Sequence, residues 1–350
     1  MLRTTRDQSI NGRINAMCNF PKAKVARWQG EEHVRQLAYR GFVCNLRNPK
    51  ETHMPLDEFI IRVYCEVCKA YAAAVASTPL RRRGFAPALS DQEALTLELV
   101  GAYLGMSQDK QIWSYFYRHW RAWFPGLGAR STFVRQSANL WAIKQCMHRH
   151  WVRRLGACER SVHLVDGFPV PVCHFRRAHF SQVFRGEAMF GYCASKQQTY
   201  YGFKAMVLTS DEGVIQDIAL FAANVDERDA LVDMDLSAIE GTLLGDKGFI
   251  RPILKEDLAR HGIELHTPLR SNMKDSRPRS FTRWATGARR LVETVIGQLC
   301  ERFEIERNRA RDLWHLVSRL YRKVAAHTLC VLLNRQLGRP CLHLDGLVSP

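Results

Sequence analysis

The hydrophobic period of this chain changes near Ser161, and that change limits the fold more than any other feature. Upstream, apolar residues recur at helical spacing; downstream, they come in short runs of strand character. Ser161-Val-His-Leu-Val-Asp166 reads as a strand ending on an acid. Tyr201–Ser210 and Val214–Ala222 read as a hairpin around the turn Asp211-Glu-Gly213, and Thr242–Asp246 and Ile263–Pro268 as two further strands. Asp226–Ile239, Arg251–His261 and a long stretch from Thr282 to Phe303 read as helices. That order predicts an α/β fold, a mixed sheet with helices on its faces, compatible with a ribonuclease H-like architecture.

The upstream part predicts an all-helical domain over residues 54–158, ahead of a sheet domain over 159–340 that includes C-terminal helices. The first helix runs from Leu56 to about Ala76, and a loop with Arg81, Arg82 and Arg83 follows. Ser90, with Glu93 three residues on, predicts a capping box at the start of the second helix. Ser107 opens a third, Pro125-Gly126 breaks the pattern, and Ser131 caps a helix reaching Leu155. Such a series resembles a helix-turn-helix DNA reader, with Arg118, His119, Arg121, Arg130, Arg135 and Lys144 as phosphate contacts. The alternative is a packing domain with a solvated basic face. Trp120, Trp123 and Trp141 read as core. Residues 1–53 carry ten basic and four acidic residues and no sustained period. They read as a basic extension, a DNA-contacting arm or an over-extended reading frame.

Charge narrows the function class. Lys and Arg number 51 against 34 Asp and Glu, a net charge of +17, which points to a polyanionic partner. No apolar leader and no run of ~20 apolar residues is present, so no membrane association and a cytoplasmic location are expected. The eleven cysteines then read as reduced thiols. Cys65-x-x-Cys68 lies in a helical pattern without a second pair at zinc spacing, so two ordinary thiols are expected there.

Phosphodiester chemistry is served by carboxylates converging from rigid elements onto divalent ions. Asp166 and Asp246 stand at strand ends, where loops of open sheets supply chemistry. Glu293 sits in the long helix among Leu291, Val292, Val295 and Ile296, a face suited to packing on the sheet. Taken singly, strand-end Asp residues also serve as turn caps, and Glu293 also suits an ion pair with Arg289.

The ordered motifs around these acids resemble the DDE transposases of bacterial insertion sequences over roughly residues 54–340. Leu164-Val-Asp-Gly-Phe-Pro-Val-Pro-Val-Cys-His-Phe-Arg-Arg177 resembles the first-Asp strand with a following Cys-His-x-Arg-Arg stretch. Tyr201-Gly-Phe-Lys204 resembles the central hairpin, and Ala223-Asn-Val-Asp-Glu-Arg228 the Asn-Val-Asp-x-Arg segment. Gly245-Asp-Lys-Gly-Phe-Ile250 and Arg289-Arg-Leu-Val-Glu293 resemble the second and third acid motifs. The resemblance implies that Asp166, Asp246 and Glu293 bind two Mg²⁺ ions, with Mn²⁺ able to substitute. It makes Arg289 and Lys247 phosphate-positioning residues, with Lys204, Arg228, Arg176 and Arg177 as further DNA contacts. Structural ion pairs are the alternative for Lys204 and Arg228. The implied function is cleavage at insertion-sequence ends and 3′-hydroxyl strand transfer, by a homo-oligomer on terminal inverted repeats and target DNA in the bacterial nucleoid. The alternatives are a decayed, transposase-derived DNA-binding protein and a metal-dependent nuclease. Three positions depart from the pattern. Gly167 follows the first Asp where Ser or Thr is usual, Thr286 replaces a Tyr, and Cys300 stands where a Lys is usual. His163, His174 and His179 read as structural or phosphate-facing rather than metal ligands.

Overall fold

A computed structural model describes residues 54–349 apart from 77–79, 81–84, 195, 270, 271, 274 and 308. The basic extension 1–53 and the run Arg81–Arg83 lie outside the described residues. Five helices come first: α1 Leu56–Val75, α2 Asp91–Tyr103, α3 Asp109–His119, α4 Arg130–Asn139 and α5 Trp141–Arg154. Ser90 caps α2 as its spacing predicts. Its hydroxyl accepts from the Glu93 N–H at 3.2 Å, and the Glu93 carboxylate accepts from the Ser90 N–H at 2.7 Å. The helix expected from Ser131 to Leu155 is two helices. The chain turns at buried Leu140 (φ −87°, ψ 11°), so that α4 and α5 pack separately.

The sheet contains β1 Val162–Cys173, β2 Met189–Cys193, β3 Gln198–Ser210, β4 Ile215–Ala222, β5 Gly241–Leu244 and β6 Ile263–His266. A short helix α6 Phe175–Ala178 follows β1, α7 Glu227–Val232 follows β4, and α8 Pro252–Ala259 precedes β6. Antiparallel β3 lies on one edge of β1, and parallel β5 and β6 extend the other. The far edge of β3 is divided between β2 and β4. The order β4-β3-β1-β5-β6, antiparallel first and parallel after, is the ribonuclease H-like arrangement expected, with β2 as an additional edge strand.

Two layers cover the sheet because its side chains alternate. Val165, Met206, Leu208 and Phe221 pack with Ala230, Leu231, Leu254 and Leu258 of α7 and α8. Leu164, Phe168 and Val207 face the other way, into a core shared with Val292, Val295 and Leu299 of the long helix α9 Arg279–Glu301. The same core continues into the five N-terminal helices, so the architecture changes near residue 158 without a gap in apolar packing.

The last helix, α10 Leu313–Gln336, which the sequence groups with the sheet domain, packs mainly on α2, α4 and α5 and also touches α9. Buried charges decide this. Arg322 of α10 donates to the Asp109 carboxylate at 2.5 Å and to the Ser107 carbonyl at 2.9 Å. Lys144 of α5, read from sequence as a phosphate contact, is fully buried and donates to Glu98 at 2.7 Å and to the Ser318 hydroxyl at 2.8 Å. Burial pushes Lys144 down and Glu98 up, toward their neutral forms, while their mutual attraction opposes it. Arg118, His119, Arg121, Arg130 and Arg135 remain exposed.

Candidate active site

Strand register brings two of the three predicted acids together. The parallel pairing of β1 with β5 ends at Leu164 opposite Leu244. Asp166 and Asp246 each lie two residues beyond that pair, so they emerge beside one another where β5 stops. β1 does not end at Asp166, as expected, but runs on to Cys173, because β3 pairs with it along its other edge. Asp166 therefore shares a strand face with buried Leu164 and Phe168, on the side covered by α9.

That placement sets its charge. Burial pushes the Asp166 carboxyl up to about 6, and the nearby Asp246 and Glu227 carboxylates add to the effect. The Gly167 N–H, which donates to Asp166 Oδ1 at 2.8 Å, and the Arg289 guanidinium oppose it. Arg289 reaches across from α9, with Nη2 3.1 Å from Asp246 Oδ1. Its Nε is buried without a hydrogen-bond partner among the described residues. Arg289 thus stands between the sheet acids and the helix.

Glu293 lies one turn further along α9 on the same flank as Arg289, and its side chain is exposed. No group of three His, Cys, Asp or Glu side chains among the described residues is close enough to hold a metal ion. The acid that does approach Asp166 is Glu227, in the first turn of α7, which sequence reasoning passed over. Its carboxylate would collide with a Cβ at Gly248, in the turn after Asp246, and would lie 3.7 Å from one at Gly167. The signal for it was its place in Ala223-Asn-Val-Asp-Glu-Arg228, at the helix start after the hairpin.

The donors here are carboxylate oxygens, the chemistry Mg²⁺ prefers. Half-buried Asp166, whose carboxyl is pushed up by burial and by the Asp246 and Glu227 carboxylates, faces one guanidinium and is short of positive charge, so the carboxylates present fit a divalent ion. The three histidines near Asp166 in sequence stand apart from the carboxylates. His163 is buried and satisfied by Gln216 at 3.0 Å and the Glu240 carbonyl at 3.1 Å, while His174 and His179 are exposed at the two ends of α6.

The predicted DNA contacts divide. Lys247 and the pair Arg176 and Arg177 are exposed. Lys204 donates to the Val225 carbonyl at 3.1 Å and lies 3.6 Å from Glu227. Arg228 forms a two-pronged pair with Asp226, both contacts at 2.6 Å, so its guanidinium is engaged locally.

The departures also have a local basis. A Cβ at Gly167 would lie 2.9 Å from the Met206 sulfur of the neighbouring strand, so a larger residue there requires the Met206 side chain to shift. Cys300 sits 3.7 Å from Glu306, and burial pushes its thiol up to about 12. Glu306 is held by Lys196 from the β2–β3 turn at 2.7 Å. Arg302, near Cys300 in sequence, pairs instead with Asp345 and lies over the Tyr103 ring at 4.4 Å.

Residues 156–313 match the family model described as the transposase DDE domain. Curated proteins give no match. Among solved structures, a piggyBac transposase synaptic complex with hairpin DNA aligns at 11% identity and a TM-score of 0.36, over 87% of this chain and 86% of that one. No helix among the described residues is long and apolar enough to cross a membrane.

Proposed function

We propose that this chain, whose residues 156–313 match a transposase DDE domain, is a DNA transposase that cleaves strands at the ends of its element and joins the freed 3′-hydroxyl to target DNA. Asp166 and Asp246 hold divalent metal, with Glu293 as the third ligand from α9. The observation that carries this reading is the pair of acids at the end of the β1–β5 register, beneath an arginine of α9. When bound, Mg²⁺ ions stabilise charge on the attacking and leaving oxygens of the phosphodiester.

The chain's own residues do the rest. Half-buried Asp166, between buried Leu164 and Phe168 on its strand face, holds one carboxylate on a rigid strand. Arg289 orients Asp246 and lends positive charge beside the reacting phosphate. Glu293 reaches the acids by a rotamer change on the flank it shares with Arg289. Lys247, exposed next to Asp246, meets the phosphate backbone, and Arg176 and Arg177 extend that contact from α6.

Purified protein is expected to nick DNA bearing the ends of its element only with Mg²⁺ or Mn²⁺. Asp166→Asn, Asp246→Asn and Glu293→Gln should each lower the nicking rate by at least about a hundredfold, the scale of losing one preorganised group of a catalytic set. Undiminished cleavage by Asp166→Asn protein would sink the assignment. A second reading, a transposase-derived DNA-binding protein without cleavage, is favoured by the exposed Glu293 and by Cys300 in place of a cation. Specific binding of the element ends with no metal-dependent nicking would establish it. Nicking without strand transfer would point to a plain nuclease.

A further inference from the structure

We infer that the N-terminal half of α9 is a binding surface for the sugar–phosphate backbone of duplex DNA, through Arg279, Arg283 and Arg290. A cleft of about 650 Å³ opens there, lined by these arginines with Arg277, Asp275 and Thr286. At 100° per residue the three arginines fall within about 40° of one another, a single stripe about 16 Å long. One strand of a duplex presents about five phosphates over that length.

The stripe is free to act. Arg279, Arg283 and Arg290 are exposed, and none has an ion-pair partner among the described residues. Asp275, the acid in the cleft, is already held by Arg277 at 2.8 and 2.9 Å. Behind the stripe Ala285 and Ala288 pack half-buried against the core, and just beyond it the helix is anchored by fully buried Val292, Val295 and Leu299. An uncompensated row of guanidinium groups over a cleft complements a row of phosphates.

Direction adds a consequence. Glu293 lies about 40° from the start of the stripe and one turn past Arg290. A strand bound along the stripe is led toward Glu293 and, across α9, toward Arg289 and Asp246. This inference rests on the reading of the chain as acting on DNA, and its test separates the two.

Binding of a fluorescent duplex of arbitrary sequence would be measured by anisotropy in EDTA across a salt series. The proteins compared are wild type, Arg279→Gln/Arg283→Gln/Arg290→Gln and the corresponding triple lysine variant. Arg260→Gln, an exposed arginine paired with Asp257 on the far side of the sheet, serves as the control. The glutamine triple should reduce the slope of log K against log salt by roughly 2 to 3, near 0.9 per phosphate contact, and weaken binding on the order of 100-fold at 0.1 M salt. The lysine triple should retain most of the slope, and Arg260→Gln all of it. Wild-type binding with an unchanged slope in the glutamine triple overturns the inference alone. Failure of wild type to bind duplex at low salt overturns the functional reading with it. Preferential binding of RNA over the same duplex also overturns the choice of partner.

Discussion

Asp166→Asn should stabilise the metal-free protein, although it removes a ligand. In the fold the carboxyl ionises at about 6, against an ordinary value of 3.8. Two units correspond to roughly 3 kcal/mol at 1.36 kcal/mol per unit. The folded-state value is raised, so the unfolded chain releases its proton first as pH rises. Stability is unaffected below about pH 4, is lost progressively as pH climbs to about 6, and stays lost above that. Asparagine keeps the shape and can still accept from the Gly167 N–H, but it carries no charge. Urea unfolding in EDTA should therefore give equal stabilities near pH 4 and a variant more stable by about 2–3 kcal/mol at pH 7. Mg²⁺ should then stabilise the wild type and close that gap, with little effect on the variant. A variant less stable at pH 7, or a difference flat in pH, would refute the account of Asp166 as a buried acid short of positive charge.

Other perturbations probe the scaffold. Lys144→Met leaves Glu98 buried beside Arg322 alone, 3.7 Å away, and should destabilise by about 3–5 kcal/mol in urea titration. Adding Glu98→Leu should recover part of that loss. Gly167→Ser brings a side chain against the Met206 sulfur. It should cost about 1–2 kcal/mol, and a Met206→Val partner should relieve it in a double-mutant cycle. Gly126→Ala drives a methyl into the Ala88 carbonyl and should lower the melting temperature, with a cost of about 1–3 kcal/mol. An unchanged melting curve would mean that the Pro125-Gly126 turn can move aside.

The amino-acid sequence by itself determined the parts governed by local chemistry. Apolar runs along Tyr201–Ser210 and Val214–Ala222 on either side of Asp211-Glu-Gly213 produced the hairpin, and the hydroxyl and carboxylate of Ser90 and Glu93 produced the α2 cap. Apolar spacing in α9 put Val292, Val295 and Leu299 on one buried face. Tertiary structure decided what depends on partners far along the chain. β1 passes Asp166 because β3 continues to pair with it, a contact the period of β1 does not encode. Lys144 and Arg135 are both cations in helices, yet only Lys144 meets a buried carboxylate from α2 and a serine from α10. Glu227 comes close to Gly167 and Gly248, near enough for its charge to act on Asp166, because α7 packs on the sheet there. A charge pattern records which residues can ionise. Which of them are taken out of water, and beside what, follows from strand register and helix packing.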